Sequence, residues 1–168
     1  MNQHDLKSRQ TPLKQQYRTD PESAVVTLKA QGKLGEGVSC KVDTGKTIAE
    51  AGLHQATGGD GSQLCSGDML LEALAACTGV TMKAVATSLG IEIRDGEIRT
   101  EGEIDFRGTL GVDKEAPVGF REIRMFADLD TDADDEQLQT LMKLTERFCV
   151  VYQTINKGVN ISVGYHRR

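Results

Sequence analysis

Tryptophan is absent from the chain, and only seven of its 168 residues are aromatic, so its core has to be built from Leu, Val, Ile, Ala and Met. An excess of basic residues is missing too. The formal charge is −5, which excludes the clustered positive surface of a broad nucleic-acid footprint. No apolar run reaches the roughly 18–20 charge-free residues of a membrane crossing. The start, "MNQHDLKSRQ", is polar where a signal peptide would be apolar. These gaps lead to an expectation of a cytoplasmic protein with neither a nucleic-acid nor a membrane partner. Metal motifs are missing as well. Four cysteines (Cys40, Cys65, Cys77, Cys149) and three histidines (His4, His54, His166) show no CxxC, CxxCH or HxxxH spacing, so no metal and no cofactor is expected. In a reducing compartment the cysteines would not form a structural disulfide framework.

The length suits a single domain. Residues 1–23 are polar, carry Pro12 and Pro21, and read as an arm that is disordered alone or ordered against a partner subunit. Residues 24–168 form the domain. Near-alternating "AVVTLKA" and "GVSCKV" predict a first hairpin, with the Gly-rich "QGKLGEG" as its turn and Cys40 an inward strand residue. The glycine-rich stretch 52–67 has the composition of a phosphate cradle, but it lacks a Walker pattern and no strand feeds into it.

From Asp68 to Leu89 the period is helical, with Leu70, Leu74, Cys77, Thr81 and Val85 on one stripe and further apolar residues around it. A helix apolar on nearly every side is a central, buried one. One chain with two small sheets cannot cover it alone, so a dimer is expected. "GEIRTEGEIDFRG" and "REIRMFADLD" alternate as two half-exposed antiparallel strands. "TDADDEQLQTLMKLTERF" is an amphipathic helix with acids at its start. "CVVYQTINKG" reads as a short helix stopped by Gly158, and "VNISVGY" as a last strand. The class is α+β: antiparallel sheets around a long buried central helix.

"LLEALAACTGVTM" followed by "TERFCVVYQTI" resembles the two signature segments of the OsmC/Ohr family, of the general OsmC-like branch rather than Ohr proper. The resemblance spans about residues 24–166 and includes the element order. It implies an OsmC-like fold and an intertwined homodimer. It also implies a thiol-dependent peroxidase that reduces organic hydroperoxides or H2O2 in oxidative or osmotic stress, regenerated by an external dithiol reductant. By position, Cys77 matches the family's peroxidatic cysteine and Cys149 its resolving one. The chemistry suits these types, because attack needs a thiolate and a nearby thiol stops oxidation at its reversible stage.

The sequence departs from the family pattern in three places. The proline after the second cysteine is replaced by Val150. Gly67 stands where the Ohr branch has a glutamate, with Asp68 beside it. The first hairpin turn carries Lys33 and no arginine. Reading Cys149 at a helix start and Cys77 in mid-helix, we expect Cys77 to need a cation from elsewhere. Arg107, at the end of the "DFRG" strand, is the first choice, with Arg18 on the arm, Asp68 and Glu72 as other supporting groups. Arg147 is a further cation, on a helix face. Leu70, Leu74 and Phe148 are expected to line an apolar substrate pocket, and Cys65 to lie near Cys77 across the loop. Two other readings stay open: a binding protein of the same fold that holds a small apolar or thiol-reactive ligand, and a cysteine hydrolase with His54 as base.

Overall fold

The computed structural model describes residues 2–20, 31–34, 39–43, 48–111 and 113–164. Its organising element is α2 (Ser66–Leu89), about 36 Å long at 1.5 Å per residue. Leu, Ala and Met favour helix along most of its length. It stops at Gly90, whose φ of +73° suits a residue without a Cβ and whose N–H reaches the Ala86 and Thr87 carbonyls. The helix passes a length-and-composition test for a membrane span, but Glu72 and Lys83 interrupt it and its second half is packed as a core helix. Met82, Val85, Ala86, Ile93 and Leu141 form that core, with Ile98, Ala127 and Leu129 from the sheet behind them.

The most buried line on α2 runs through Leu74, Thr78, Met82 and Val85. This differs from the expected stripe, because Leu70 is 39% exposed and Cys77 and Thr81 are half-buried. The helix is not covered all round by its own chain: Val80, near its middle, is 73% exposed.

Two long strands pack across α2. β5 (Asp95–Ile104) and β6 (Phe120–Asp130) are antiparallel, with Ile98 opposite Ala127, Thr100 opposite Met125 and Gly102 opposite Ile123. The alternation in the sequence gives this face correctly, since Ile98, Thr100, Gly102 and Ile104 are the half-buried residues of β5. Thr100 Oγ1 donates to the Leu71 carbonyl at 3.1 Å, tying the strand to α2. β5 ends before Arg107, however. Asp105 accepts the Arg107 N–H and starts the short turn α3 (Phe106–Thr109), so Arg107 does not stand at a strand end.

The smaller sheet contains β1 (Gln31–Leu34), β2 (Ser39–Asp43), β3 (Ile48–Gly52) and β4 (Leu64–Cys65), in that order. β1 pairs antiparallel with β2, Leu34 opposite Cys40. Residues 31–34, expected in the turn, are therefore strand, while residues 24–30 of the expected first strand lie outside the described residues. β3 was not foreseen. It pairs parallel with β4, and so fixes where the chain enters α2.

α4 (Asp135–Phe148) opens with a reciprocal cap between Asp134 and Gln137, the expected acidic start given a geometry. α5 (Val150–Lys157) follows after the single residue Cys149 and ends at Gly158, φ +68°. One expectation fails. Residues 159–164 form no strand; Val159, Ile161 and Val163 are 62%, 82% and 69% exposed. A strand exists through its ladder, and no described strand of this chain stands beside the segment. At the other terminus, the arm is helical as α1 (Gln3–Thr19). Asn2 Oδ1 accepts the Asp5 N–H at 2.8 Å as an N-terminal cap, and Gln3 Nε2 donates to the Ser88 carbonyl at 3.1 Å, anchoring α1 to the far end of α2.

Candidate functional site

Cys149 is the residue between α4 and α5 and caps the second of them. Its extended backbone (φ −72°, ψ 110°) turns the chain, and its Sγ accepts the Tyr152 N–H at 3.5 Å. The side chain is 1% exposed. Thr78, fully buried on α2, places its Oγ1 3.7 Å from Cys149 Sγ and donates to Met125 Sδ at 3.1 Å. At the Thr78–Cys149 contact either the hydroxyl or the thiol can donate.

Cys77 is the residue before Thr78, and its half-buried sulfur meets the start of α5. Burial pushes this thiol up. Against that act the Val151 N–H, the Cys149 thiol, the Thr81 hydroxyl and the Val150 N–H, which together bring it below its ordinary value. The two cysteines singled out in the sequence, 72 positions apart, are thus neighbours at the start of α5. Both are reduced.

Among the described residues, no lysine or arginine ranks with the main groups acting on Cys77. Arg107 is 62% exposed and held by Asp105, which it grips through Nε at 2.9 Å and Nη2 at 2.5 Å, and by Asp113 at 3.3 Å. That pairing, reinforced by a backbone bond, holds the Asp105 carboxyl at about 2 despite some opposing desolvation. Arg107 as the activating cation is therefore corrected: the turn that caps with Asp105 also takes its guanidinium. Glu72 and Asp68 are exposed and likewise absent from the groups at Cys77. Arg147 stacks over Phe148 at 5.3 Å. Arg18 falls on α1 and Lys33 on β1, with side chains outside the described residues.

An open groove of about 540 Å³ is lined by Leu70, Leu74, Phe120, Ile123, Met125, Tyr152 and Ile155, with Arg121 at its wall; neither Cys77 nor Cys149 is in its lining. Leu70 and Leu74 line it as expected. Phe148 does not: it is 56% exposed under Arg147, because the turn at Cys149 leaves the last residue of α4 pointing away. Tyr152 and Arg121 were missed by sequence reasoning. The signal for Arg121 was there, since it shares the parity of Ile123 and Met125 on β6. Burial and the neighbouring Glu146 carboxylate raise the Tyr152 phenol, so it stays a donor at neutral pH.

A second cavity, about 400 Å³, lies around the first turn of α2 and includes His54, Cys65, Asp68, Phe106, Phe120 and Arg121. Cys65 caps α2 twelve residues before Cys77, about 18 Å along a straight helix axis. The expected proximity of these two thiols is corrected by that distance. His54 Nδ1 accepts the Ala56 N–H at 3.0 Å and its ring stacks on Phe106 at 4.9 Å. It shapes this loop and, among the described residues, no histidine is named beside Cys77, against the hydrolase reading. Two of the loop's glycines, Gly58 and Gly61, take positive φ, a conformation that glycine adopts without steric cost. Among the described residues, no group of three or more His, Cys, Asp or Glu is placed to hold a metal ion.

The comparisons with known proteins agree with this architecture. No curated protein matches the sequence. Among solved structures, an OsmC-like protein from Mycoplasma pneumoniae is similar at 18% identity and a TM-score of 0.65, over 80% of this chain and 89% of that one. An organic hydroperoxide resistance protein OsmC from Legionella pneumophila shows 17% identity and 0.62, over 79% and 90%. The organic hydroperoxide resistance protein OhrB of Bacillus subtilis shows 24% and 0.53, over 80% and 93%. At these identities the likeness is one of fold. The family model described as OsmC-like protein matches residues 59–164, a span that takes in α2, both long strands and both cysteines; the chain belongs to the OsmC-like family.

Proposed function

We propose that the protein is a thiol-dependent peroxidase acting on organic hydroperoxides. The observation that carries the reading is the meeting of Cys77 and Cys149 at the start of α5, one thiol partly accessible and the other buried behind it. The Cys77 thiolate attacks the terminal oxygen of the hydroperoxide. An S–O bond forms, the O–O bond breaks, and the leaving alkoxide takes a proton to become an alcohol. Cys77 is then a sulfenic acid. Cys149 sulfur attacks it, water leaves, and a disulfide closes between the two. An external dithiol returns both to thiols. The groove formed by Leu74, Ile123, Met125 and Ile155 suits an alkyl group better than H2O2. Thiols cycling in this way suit a reducing, cytoplasmic setting.

Anaerobically reduced protein mixed with one equivalent of cumene hydroperoxide should lose two thiols per chain. Cys149→Ser should stop at the sulfenic acid, and Cys77→Ser should lose none quickly. If native Cys77 reacts no faster than free cysteine, a second reading replaces the first: a binding protein using the same apolar groove. What favours that alternative is that, among the described residues, no lysine or arginine ranks with the main groups acting on Cys77.

The working form in this proposal is a homodimer. Val80 on α2 and the alternating Val159, Ile161 and Val163 expose apolar surface that a second copy would cover, the C-terminal segment gaining a ladder there. Sedimentation should show a dimer at micromolar concentration; a stable monomer refutes it.

A further inference from the structure

We propose that Thr78 is a positioning residue for Cys149: its hydroxyl holds the buried sulfur in place and supplies the hydrogen bond that sulfur needs as a thiolate when the disulfide closes. This deepens the reading of Cys149 as the resolving thiol and rests on it. Thr78 and Thr145 are the two fully buried polar residues among the described ones, and their hydroxyls are used differently. A threonine inside a helix can donate back to the carbonyl four residues earlier. Thr145 does so, to Leu141 at 2.8 Å, and Thr87 likewise, to Lys83 at 2.7 Å. Thr78 reaches away from its own helix. Its Oγ1 donates to Met125 Sδ on β6 at 3.1 Å and lies 3.7 Å from Cys149 Sγ. Its partners are thus two sulfurs on two other elements, and of these only the cysteine can become charged.

A hydroxyl carries one proton and can accept as well as donate. While Cys149 is a thiol, either group can donate at their contact. A thioether sulfur is a weak acceptor. Once Cys149 has lost its proton, the hydroxyl turns from Met125 to the thiolate, because a charged acceptor binds a donor more strongly. Apolar burial opposes a thiolate, and Cys149, only 1% exposed, cannot rely on water to offset it. The Tyr152 N–H, at 3.5 Å, is a further donor on the same sulfur, but it belongs to the helix that Cys149 itself caps. Thr78 belongs to α2 and directly follows Cys77, so its contact ties the resolving sulfur to the helix of its target. In the closing step the Cys149 sulfur bonds to the Cys77 sulfur, whose leaving group departs with the electron pair. The Cys149 proton ends on that leaving group or in water. Thr78 gains and loses no atom.

The test uses the full chain with Cys40→Ser and Cys65→Ser, which leave Cys77 and Cys149 as its cysteines. The reduced protein is mixed with dithiobisnitrobenzoate, a chromogenic disulfide that takes the place of a peroxide. Cys77 attacks it, forming a mixed disulfide and releasing one nitrothiobenzoate. Cys149 then attacks the Cys77 sulfur, closing the protein disulfide and releasing a second. The two colour phases read the two cysteines separately. Position 78 is compared in matched pairs, Thr78 with Thr78→Val and Thr78→Ser with Thr78→Ala, one member of each pair keeping the hydroxyl. Within a pair, losing the hydroxyl should leave the first phase within about twofold and slow the second by about tenfold, the loss of one hydrogen bond to a charged group. Either pair carries the comparison if a variant of the other fails to fold. Equal second phases within a pair would overturn the proposal, since a loss shared by serine and alanine reflects side-chain size alone. Equal slowing of both phases would overturn it too, because the hydroxyl would then act on Cys77. A chain with threonine at position 78 and no second phase would refute the pairing of the two cysteines and this proposal with it. Hydroxyl-dependent closure in a protein that reduces no hydroperoxide would sink the peroxidase reading alone.

Discussion

The two halves of α2 have opposite surroundings. From Met82 onward the helix lies under Leu141, Ile93 and the inner face of β5–β6, where Met82 is 2% exposed and Leu141 fully buried. Before Leu74 it runs between two open cavities, with Asp68, Leu70 and Glu72 exposed. One helix thus serves as core at its C-terminal end and as the wall of a site at its N-terminal end. Cys77 and Thr78 stand at the boundary. The packed half can hold a backbone position against the entropy of ordering it, while the open half leaves a thiol within reach of a small molecule.

The sharpest way to break this comparison is to shorten one apolar side chain in each half. Leu141→Ala should cost about 3 kcal/mol, the usual penalty of a large-to-small change at a fully buried site. That should lower Tm by roughly 10 °C. Leu70→Ala, at the rim of the groove, should cost under about 1 kcal/mol and act mainly on KM for a bulky hydroperoxide. Thermal melts giving the two variants similar losses would mean that the open half is part of the core in solution.

The smallest effect should come from Arg107→Met. Because Arg107 is engaged with Asp105 and Asp113, alkylation of Cys77 should stay within about twofold of the native rate. The variant should change the acid limb of stability instead. The Asp105 carboxyl, held at about 2 chiefly by its hydrogen bond with Arg107, is a group whose folded value is depressed. Its contribution is present above the unfolded carboxylate value and is lost as pH falls towards 2. Acid titration followed by circular dichroism should show that dependence in the native chain and a weaker one in the variant. A large drop in Cys77 reactivity would restore Arg107 to the site.

Which elements could be read from the sequence follows from how local their causes are. The ends of α2, α4 and α5 were legible because stop signals such as Gly90 and Gly158 lie within a few residues, whereas α4 starts at Asp135, four residues inside the expected stretch, where Asp134 and Gln137 cap it. The inner faces of β5 and β6 were legible from strict alternation. The start of α3 was not, because "DFRG" continues the alternation while the Asp105 side chain ends the strand. β3 is five residues without a clear period, and only its pairing on β2 and β4 makes it a strand. The helical arm α1 was hidden by its polarity and by Pro12, which gave no apolar stripe to read.

The sequence by itself determined that Cys77 lies in the middle of a long apolar helix and that Cys149 lies at a helix start, since both follow from periodicity and capping over short distances. It also brought the family into view through the two segments that surround them. Only the tertiary structure decided what holds the Cys77 sulfur. Composition directed attention to arginines, because a charged side chain is visible in a sequence and an unsatisfied backbone amide is not. The packing of α5 against α2 brings the first turn of α5 beside that sulfur. Every residue but proline carries the same N–H, so its role here depends on position in space and leaves no mark in the residue names.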